Sequence, residues 1–292
     1  MRRIFKRKIY SKLLEWKQED NGTTALLIQG ARRIGKSTIV EEFAKNEYKS
    51  YILVDFNRTP DSIKKLFSNL MNLDILFLQL QTIFNVVLYE GESLIIFDEV
   101  QKCPHARQAI KYLVQDGRYH YIETGSLISI KQNTKDITIP SEEKRIDMYP
   151  LDFEEFLWAI NDNVSYPFIK QFFENKMPLG ISHRSKQRDL RLYMLIGGMP
   201  QAINEYLNTN NLSKVDQIKR NIIQLYYDDF MKIDPSGKLG QLFMAIPSQL
   251  SRGVLRYYTN NIVGDINPDK RKELLINLEI TRSKKTPNTV MK

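Results

Sequence analysis

Apolar residues recur in two rhythms along this chain. In the first half, short continuous apolar runs alternate with stretches of helical spacing. Residues 25–29, 51–56, 93–97 and 119–123 read as strands, with a fifth over 146–149. Between them, 36–45 carries Ile39, Val40 and Phe43 on one helical face, 60–70 and 74–88 read as helices, and 104–115 is a helix opened by Pro104. Strands that are continuously apolar are covered on both faces, which predicts a buried parallel sheet in an α/β fold. Ligands of such sheets bind at the carboxyl ends of the strands. Ahead of the first strand, Ile9, Leu13, Leu14 and Trp16 mark a docking helix over 5–18 that Asn21-Gly22 breaks.

From about Leu151 the rhythm becomes helical throughout. Residues 152–160, 166–176, 187–195, 199–207, 213–230 and 238–246 all read as helices, with a sharp turn at Gly197-Gly198 and Met199-Pro200. No internal repeat is visible. The expected organisation is an α/β domain over 1–150, a helical domain over 151–240 and a further segment over 241–292.

Composition narrows the class. The net charge of +9 is concentrated at the ends, with +4 on residues 1–20 and +3 on residues 264–292. A basic chain makes nucleic acid a candidate partner. Solvated termini explain the charge equally, because no helix shows a continuous basic stripe. Cys103 is the sole cysteine and has no His or Cys partner at metal-ligand spacing, so no internal disulfide forms and a cytoplasmic location is expected. Glu15, Lys17, Glu19 and Asp20 follow the basic start where a signal peptide would be apolar. The richest apolar run, 71–88, contains Asp74, Gln79, Gln81 and Asn85, so no membrane partner is expected.

The candidate chemistry begins at "GARRIGKS", residues 30–37. Gly30, Gly35, Lys36 and Ser37 stand at the spacing of a phosphate cradle, in which glycines let successive N–H groups turn inward. The motif follows a strand and opens a helix, so Gly30, Ala31, Arg32, Arg33, Ile34, Gly35, Lys36, Ser37 and Thr38 form the expected nucleotide-binding stretch. Lys36 would reach the β- and γ-phosphates, and Ser37 would ligate Mg²⁺. Downstream, "LIIFDE" is an apolar strand ending in Asp98-Glu99. Asp98 is the expected metal-shell residue and Glu99 the base for an attacking water. In "YIETGS", Thr124 or Ser126 is placed to meet the γ-phosphate or that water, a turn after a strand being the competing reading.

These segments resemble AAA-type P-loop ATPases. More closely, the chain resembles a group of prokaryotic AAA-like ATP-binding proteins that carry a C-terminal domain of unknown function. "LLIQGARRIGKSTIVEEFA", "LIIFDEVQKCPHARQAIKYL", "YIETGSLISI", "MYPLDFEEFLWA" and "YMLIGGMPQAINEYL" carry the resemblance from residue 9 to about 250. It implies a P-loop NTPase fold with a parallel sheet between helices, then a mainly helical domain and the start of a winged-helix-like element near "FMAIPSQLSR". It carries Gly30, Lys36, Ser37, Asp98 and Glu99 over as nucleotide-site residues and puts Thr124 or Ser126 in the sensor strand. After about Tyr258 the chain departs from the family, ending in the Lys-rich "RSKKTPNTVMK", as a truncated or frameshifted member would.

Other residues admit plainer roles. Arg32 and Arg33 either touch phosphate or a neighbouring subunit or face solvent. Arg107, Arg118 and Arg145 are arginine-finger candidates for which structural salt bridges are the simpler role. Phe153, Phe156, Leu157 and Trp158 read as core packing, and His105 and His120 as surface or turn residues. The expected function is Mg²⁺-dependent ATP hydrolysis coupled to a helical output domain. The alternative is a nucleotide-gated switch that binds DNA or protein with little hydrolysis. Self-association is open, since AAA-like sites often borrow an arginine from a neighbour.

Overall fold

A computed structural model describes residues 3–68, 70, 72–126, 141–251, 260–264 and 267–279. Packing divides the chain into two units, Met1–Leu212 and Ser213–Lys292.

The first unit is built on five parallel strands: β1 (Ala25–Gly30), β2 (Ser50–Asp55), β3 (Ser93–Asp98), β4 (His120–Ser126) and β5 (Glu143–Met148). Their order in the sheet is β2-β3-β4-β1-β5. β4 therefore lies between β1 and β3, with Ile28 opposite Thr124 and Phe97 opposite Glu123. Every residue of β3 is buried, as its unbroken apolar run requires.

Two cores cover the two faces. On one, Leu26, Ile28, Ile96 and Ile122 meet α1 (Ile9–Asp20) and α2 (Lys36–Glu47) through Leu13, Trp16, Val40 and Phe43. On the other, Leu27, Ile95, Phe97 and Tyr121 meet α3 (Leu73–Phe84) and α4 (Pro104–Asp116) through Phe77, Leu80, Ile110 and Leu113. Each such side chain contributes about 1.5–3 kcal/mol on burial. The helix expected over 5–18 runs over Ile9–Asp20, packs on the first of these faces, and ends where Asn21 turns left-handed. Residues 60–70 are not one helix: Asp61–Lys64 is a single α turn that tightens into a 3₁₀ turn at Lys65–Ser68. β5 begins three residues ahead of the expected 146, because it is the end strand and its polar "EKR" opening hides it from an apolar search.

Five helices complete this unit or lead out of it: α5 (Phe153–Ala159), α6 (Ser165–Glu174), α7 (His183–Ile196), α8 (Pro200–Thr209) and α9 (Leu212–Ile233). Phe156 and Leu157 are fully buried, as core packing demands. In the second unit, α9 continues into α10 (Lys238–Met244) and α11 (Ile246–Ser251), with α12 at Pro268–Glu279. Tyr226 stacks on Phe243, and a Cβ on Gly240 would meet the Tyr227 ring at 2.6 Å, so these tyrosines are packing groups. The described residues of 241–292 are helical or irregular, and the Lys-rich tail lies outside the described residues. No described helix is long and apolar enough to cross a membrane.

Two polar residues lie where surface was expected or none was foreseen. His120 is buried, not on the surface or in a turn: its Nδ1 is 2.8 Å from the Tyr48 hydroxyl and its ring meets Trp16 edge-on. Glu123, on β4, is fully buried; its carboxyl oxygens accept no hydrogen bond among the described residues, and in the protonated form it donates one to Glu143. The adjacent Glu143 is occupied, since Arg107 donates to both its oxygens at 2.9 Å and Arg145 adds a third contact at 2.6 Å. Burial would raise Glu143, but the two arginines hold it below the usual carboxylate range. Burial pushes Glu123 far up, and the Glu143 charge pushes it further against Arg107. The folded state thus keeps a proton that the unfolded chain releases above about pH 4.5. Stability contributed by that proton is full at low pH and declines as pH rises, by about 1.4 kcal/mol per unit while Glu123 stays neutral. Buried His120, whose pKa burial lowers, contributes in the opposite direction near neutrality, so the readout is the difference between two proteins: in urea unfolding at rising pH above about 4.5, the wild type should lose stability relative to Glu123→Gln.

Candidate functional site

β1 delivers Gly30 to its carboxyl end, directly beside β5. A Cβ on Gly30 would lie 2.2 Å from the Met148 carbonyl oxygen, so only glycine lets the two strands approach this closely. The loop then turns through Arg33 at φ +65° and Gly35 at φ +95°, both left-handed. Between them the Ile34 side chain is wholly buried and anchors the loop in the core. α2 starts at Lys36, so its first-turn amides and positive end face the loop.

Lys36 is buried, with its ammonium donating to the carbonyls of Gly30 at 3.1 Å and Ala31 at 2.8 Å. Burial pushes its pKa down to about 8; Glu99 and Asp98 pull it back up, and Arg32 adds to the depression. Ser37, half-buried in the same turn, donates to Asp98 Oδ1 at 2.6 Å. The Thr124 hydroxyl donates to that same oxygen and accepts from the Glu99 N–H at 3.3 Å. The strand order makes this possible, because β4 holds Thr124 in the gap between β1 and β3. Glu99 follows with a left-handed backbone at φ +55°, an uncommon state for glutamate, and its carboxylate accepts a hydrogen bond from Gln101. The predicted Lys36, Ser37, Asp98, Glu99 and Thr124 are therefore brought together. Ser126, opposite Gly30 in register, stands beside the start of the loop. Thr38 is half-buried in the first turn of α2, and Arg32 is exposed on the loop.

The arginine-finger candidates are committed elsewhere. Arg107 and Arg145 hold Glu143. Arg118 pairs with Asp116 and Asp74 and lies 4.7 Å over the Phe77 ring.

Sequence reading missed a second rim. A Cβ on Gly35 would meet Pro200 at 3.7 Å, and Arg33 donates to Gln201 at 3.1 Å, so the start of α8 abuts the loop. Gly198 permits this by lying against the Leu151 backbone, where a Cβ would clash at 2.1 Å. The Gly197-Gly198-Met199-Pro200 turn was legible, but nothing local pointed it at the cradle. Arg7 was missed as well: its guanidinium donates to the Ile34 carbonyl at 2.8 Å and the Tyr149 carbonyl at 2.5 Å.

The donor set suits a hard divalent cation. A serine hydroxyl and one carboxylate leave most coordination positions to phosphate and water, the habit of Mg²⁺. No group of three or more His, Cys, Asp or Glu able to cage a metal exists among the described residues.

Comparison with known proteins agrees with this geometry. The AAA domain family model matches residues 22–157, and a domain of unknown function (DUF8612) matches 187–270. An uncharacterized protein of Methanocaldococcus jannaschii is 22% identical over 223 residues, 74% of this chain and 45% of that protein. The chain thus spans less than half the length of the curated relative it matches. A Walker-type ATPase of Pyrococcus abyssi shares the fold at a TM-score of 0.56 and 17% identity, over 95% of this chain and 90% of its own.

The close approach at Gly30 is a direct test of the site's construction. Gly30→Ala should lose about 2–4 kcal/mol in urea unfolding, because the obstructing atom is backbone and cannot move aside. A variant as stable as the wild type would show that β5 does not press on the loop.

Proposed function

We propose that this AAA-type P-loop protein binds ATP with Mg²⁺ in the loop of residues 30–38 and hydrolyses it to ADP and phosphate. The observation that carries the reading is the convergence of Ser37 and Thr124 on the Asp98 carboxylate, with Lys36 in the adjoining loop and Glu99 at the next position. In this reading Lys36 exchanges two loop carbonyls for phosphate oxygens, which restores full charge to a lysine that burial has weakened. Ser37 and Asp98 hold the cation. Mg²⁺, when bound, neutralises charge on the β- and γ-phosphate oxygens. Thr124 keeps Asp98 oriented. Glu99 takes a proton from water, whose oxygen bonds to the γ-phosphorus while the bond to the bridging oxygen breaks and ADP leaves with its electrons. The helices after Leu151 read the occupied state through the start of α8, which touches the loop at Gly35 and Arg33.

A second reading, a nucleotide-gated binder of DNA or protein, is supported by α7. Arg184, Arg188 and Arg191 stand at helical spacing on it and all three are exposed, a short basic row that the search for a continuous stripe passed over. A salt-sensitive gel shift would favour DNA, and none at low salt would remove it.

Phosphate release and ATP binding, measured together, test the main reading. Wild type should turn over with Mg²⁺. Glu99→Gln should bind ATP but slow release by roughly 10²–10⁴-fold, the range for a lost general base. Lys36→Ala should fail to bind. Equal turnover by Glu99→Gln would remove Glu99 from the chemistry.

A further inference from the structure

The segment before β1 lies outside the matched AAA region, yet one of its side chains is buried against the loop. We propose that Arg7 is a positioning residue that orients the Ile34–Gly35 peptide and carries cradle occupancy to the first turn of α5. The proposal rests on the nucleotide-binding reading above.

Arg7 exposes 6% of its surface. Beyond its bonds to the Ile34 and Tyr149 carbonyls, its Nε lies 3.2 Å from Glu155 Oε1, a buried ion pair in which the N–H is not aligned for a hydrogen bond. One guanidinium therefore touches the loop, the connection after β5 and α5. The group is planar with donors in fixed directions, so a shift at one contact is felt at the others.

The Ile34 contact bears on binding. A trans peptide points its C=O and N–H to opposite sides. Arg7 draws the Ile34 carbonyl toward itself, so the Gly35 N–H leaves from the opposite edge. Gly35 is the residue at which the loop turns into α2, where an amide can meet phosphate.

The Glu155 contact reaches the helices. Glu155 and Asp152 form a capping box that closes α5, with Asp152 donating its N–H to Glu155 Oε2 at 3.2 Å and accepting at 2.9 Å. Glu155 Oε1 also accepts the Lys8 N–H at 2.7 Å. A single buried carboxylate thus caps α5, receives the main chain at residue 8 and faces Arg7. When Lys36 leaves the Gly30 and Ala31 carbonyls for phosphate, the loop peptides reset. Water does not reach Arg7 or Glu155 to replace what either loses, so the two move together.

Hydrogen exchange over residues 152–160, with and without ATP and Mg²⁺, reads the relay, and an ATP titration of the same full-length samples reads affinity. Wild type should change protection at 152–160 on binding. Arg7→Met should bind ATP at least about tenfold more weakly, as loss of a charged donor predicts, and show no change there at saturation. Arg7→Lys, which keeps the charge without the fork, should recover part of the affinity and none of the response. Glu155→Gln leaves the Ile34 contact in place; it should bind ATP as wild type does and lose the response. It decides the matter alone if Arg7→Met does not fold. Wild-type affinity and response in both Arg7→Met and Glu155→Gln would overturn the proposal. So would a wild type that binds ATP with no change at 152–160. A wild type indistinguishable from Lys36→Ala in the titration would overturn the nucleotide reading and this proposal with it.

Discussion

A buried ammonium is the constraint on which this site depends. Lys36 sits where water cannot solvate it, and its hydrogen bonds go to two carbonyls of the loop that it closes. Those neutral acceptors are weak company for a charge, so the carboxylates of Asp98 and Glu99 on the far side of β4 matter electrostatically before any ligand arrives. Asp98 in turn is held by hydroxyls from two other elements, α2 and β4. Loop, helix and two strands are thereby tied into one polar arrangement, and each part fixes the geometry of the next.

The outline of this arrangement was legible in the sequence because its parts obey strong local rules. Glycine at 30 and 35 is demanded by backbone approach and a left-handed turn, and Asp98 ends a strand that is apolar without a break. Thr124 and Ser126 were alternatives for a contact with phosphate or water; the strand order puts the Thr124 hydroxyl on Asp98 and sets Ser126 opposite Gly30. What escaped reading was long-range. Nothing near Arg7 in the chain shows that its side chain will reach Ile34 and Glu155, which are distant in sequence. The contact of α8 with Gly35 is of the same kind. Glu123 and His120 escaped for another reason: a polar residue in an apolar strand reads as an edge or a turn unless the partners on neighbouring elements are known.

The left-handed backbone at Glu99 fits the same pattern. A residue other than glycine holds this conformation when its surroundings over-determine it. Here the main-chain N–H is fixed by Thr124 and the carboxylate by Gln101. The side chain read as the base is thus the one whose position owes most to its neighbours and least to its own preference.

The position of β4 bears on how the molecule is made. The strand that fills the gap between β1 and β3 is fourth in chain order, so a growing chain holds the phosphate loop and the carboxylate pair long before it can assemble them. Until residues 120–126 insert, the two halves have no common wall and the Asp98 carboxylate lacks one of its two hydroxyls. The β1–β4 pairing joins segments far apart in the chain, and non-local pairing of this kind forms slowly. The contact of Ser37 with Asp98 across that gap is therefore a mark of completion, made only once the sheet between them is whole.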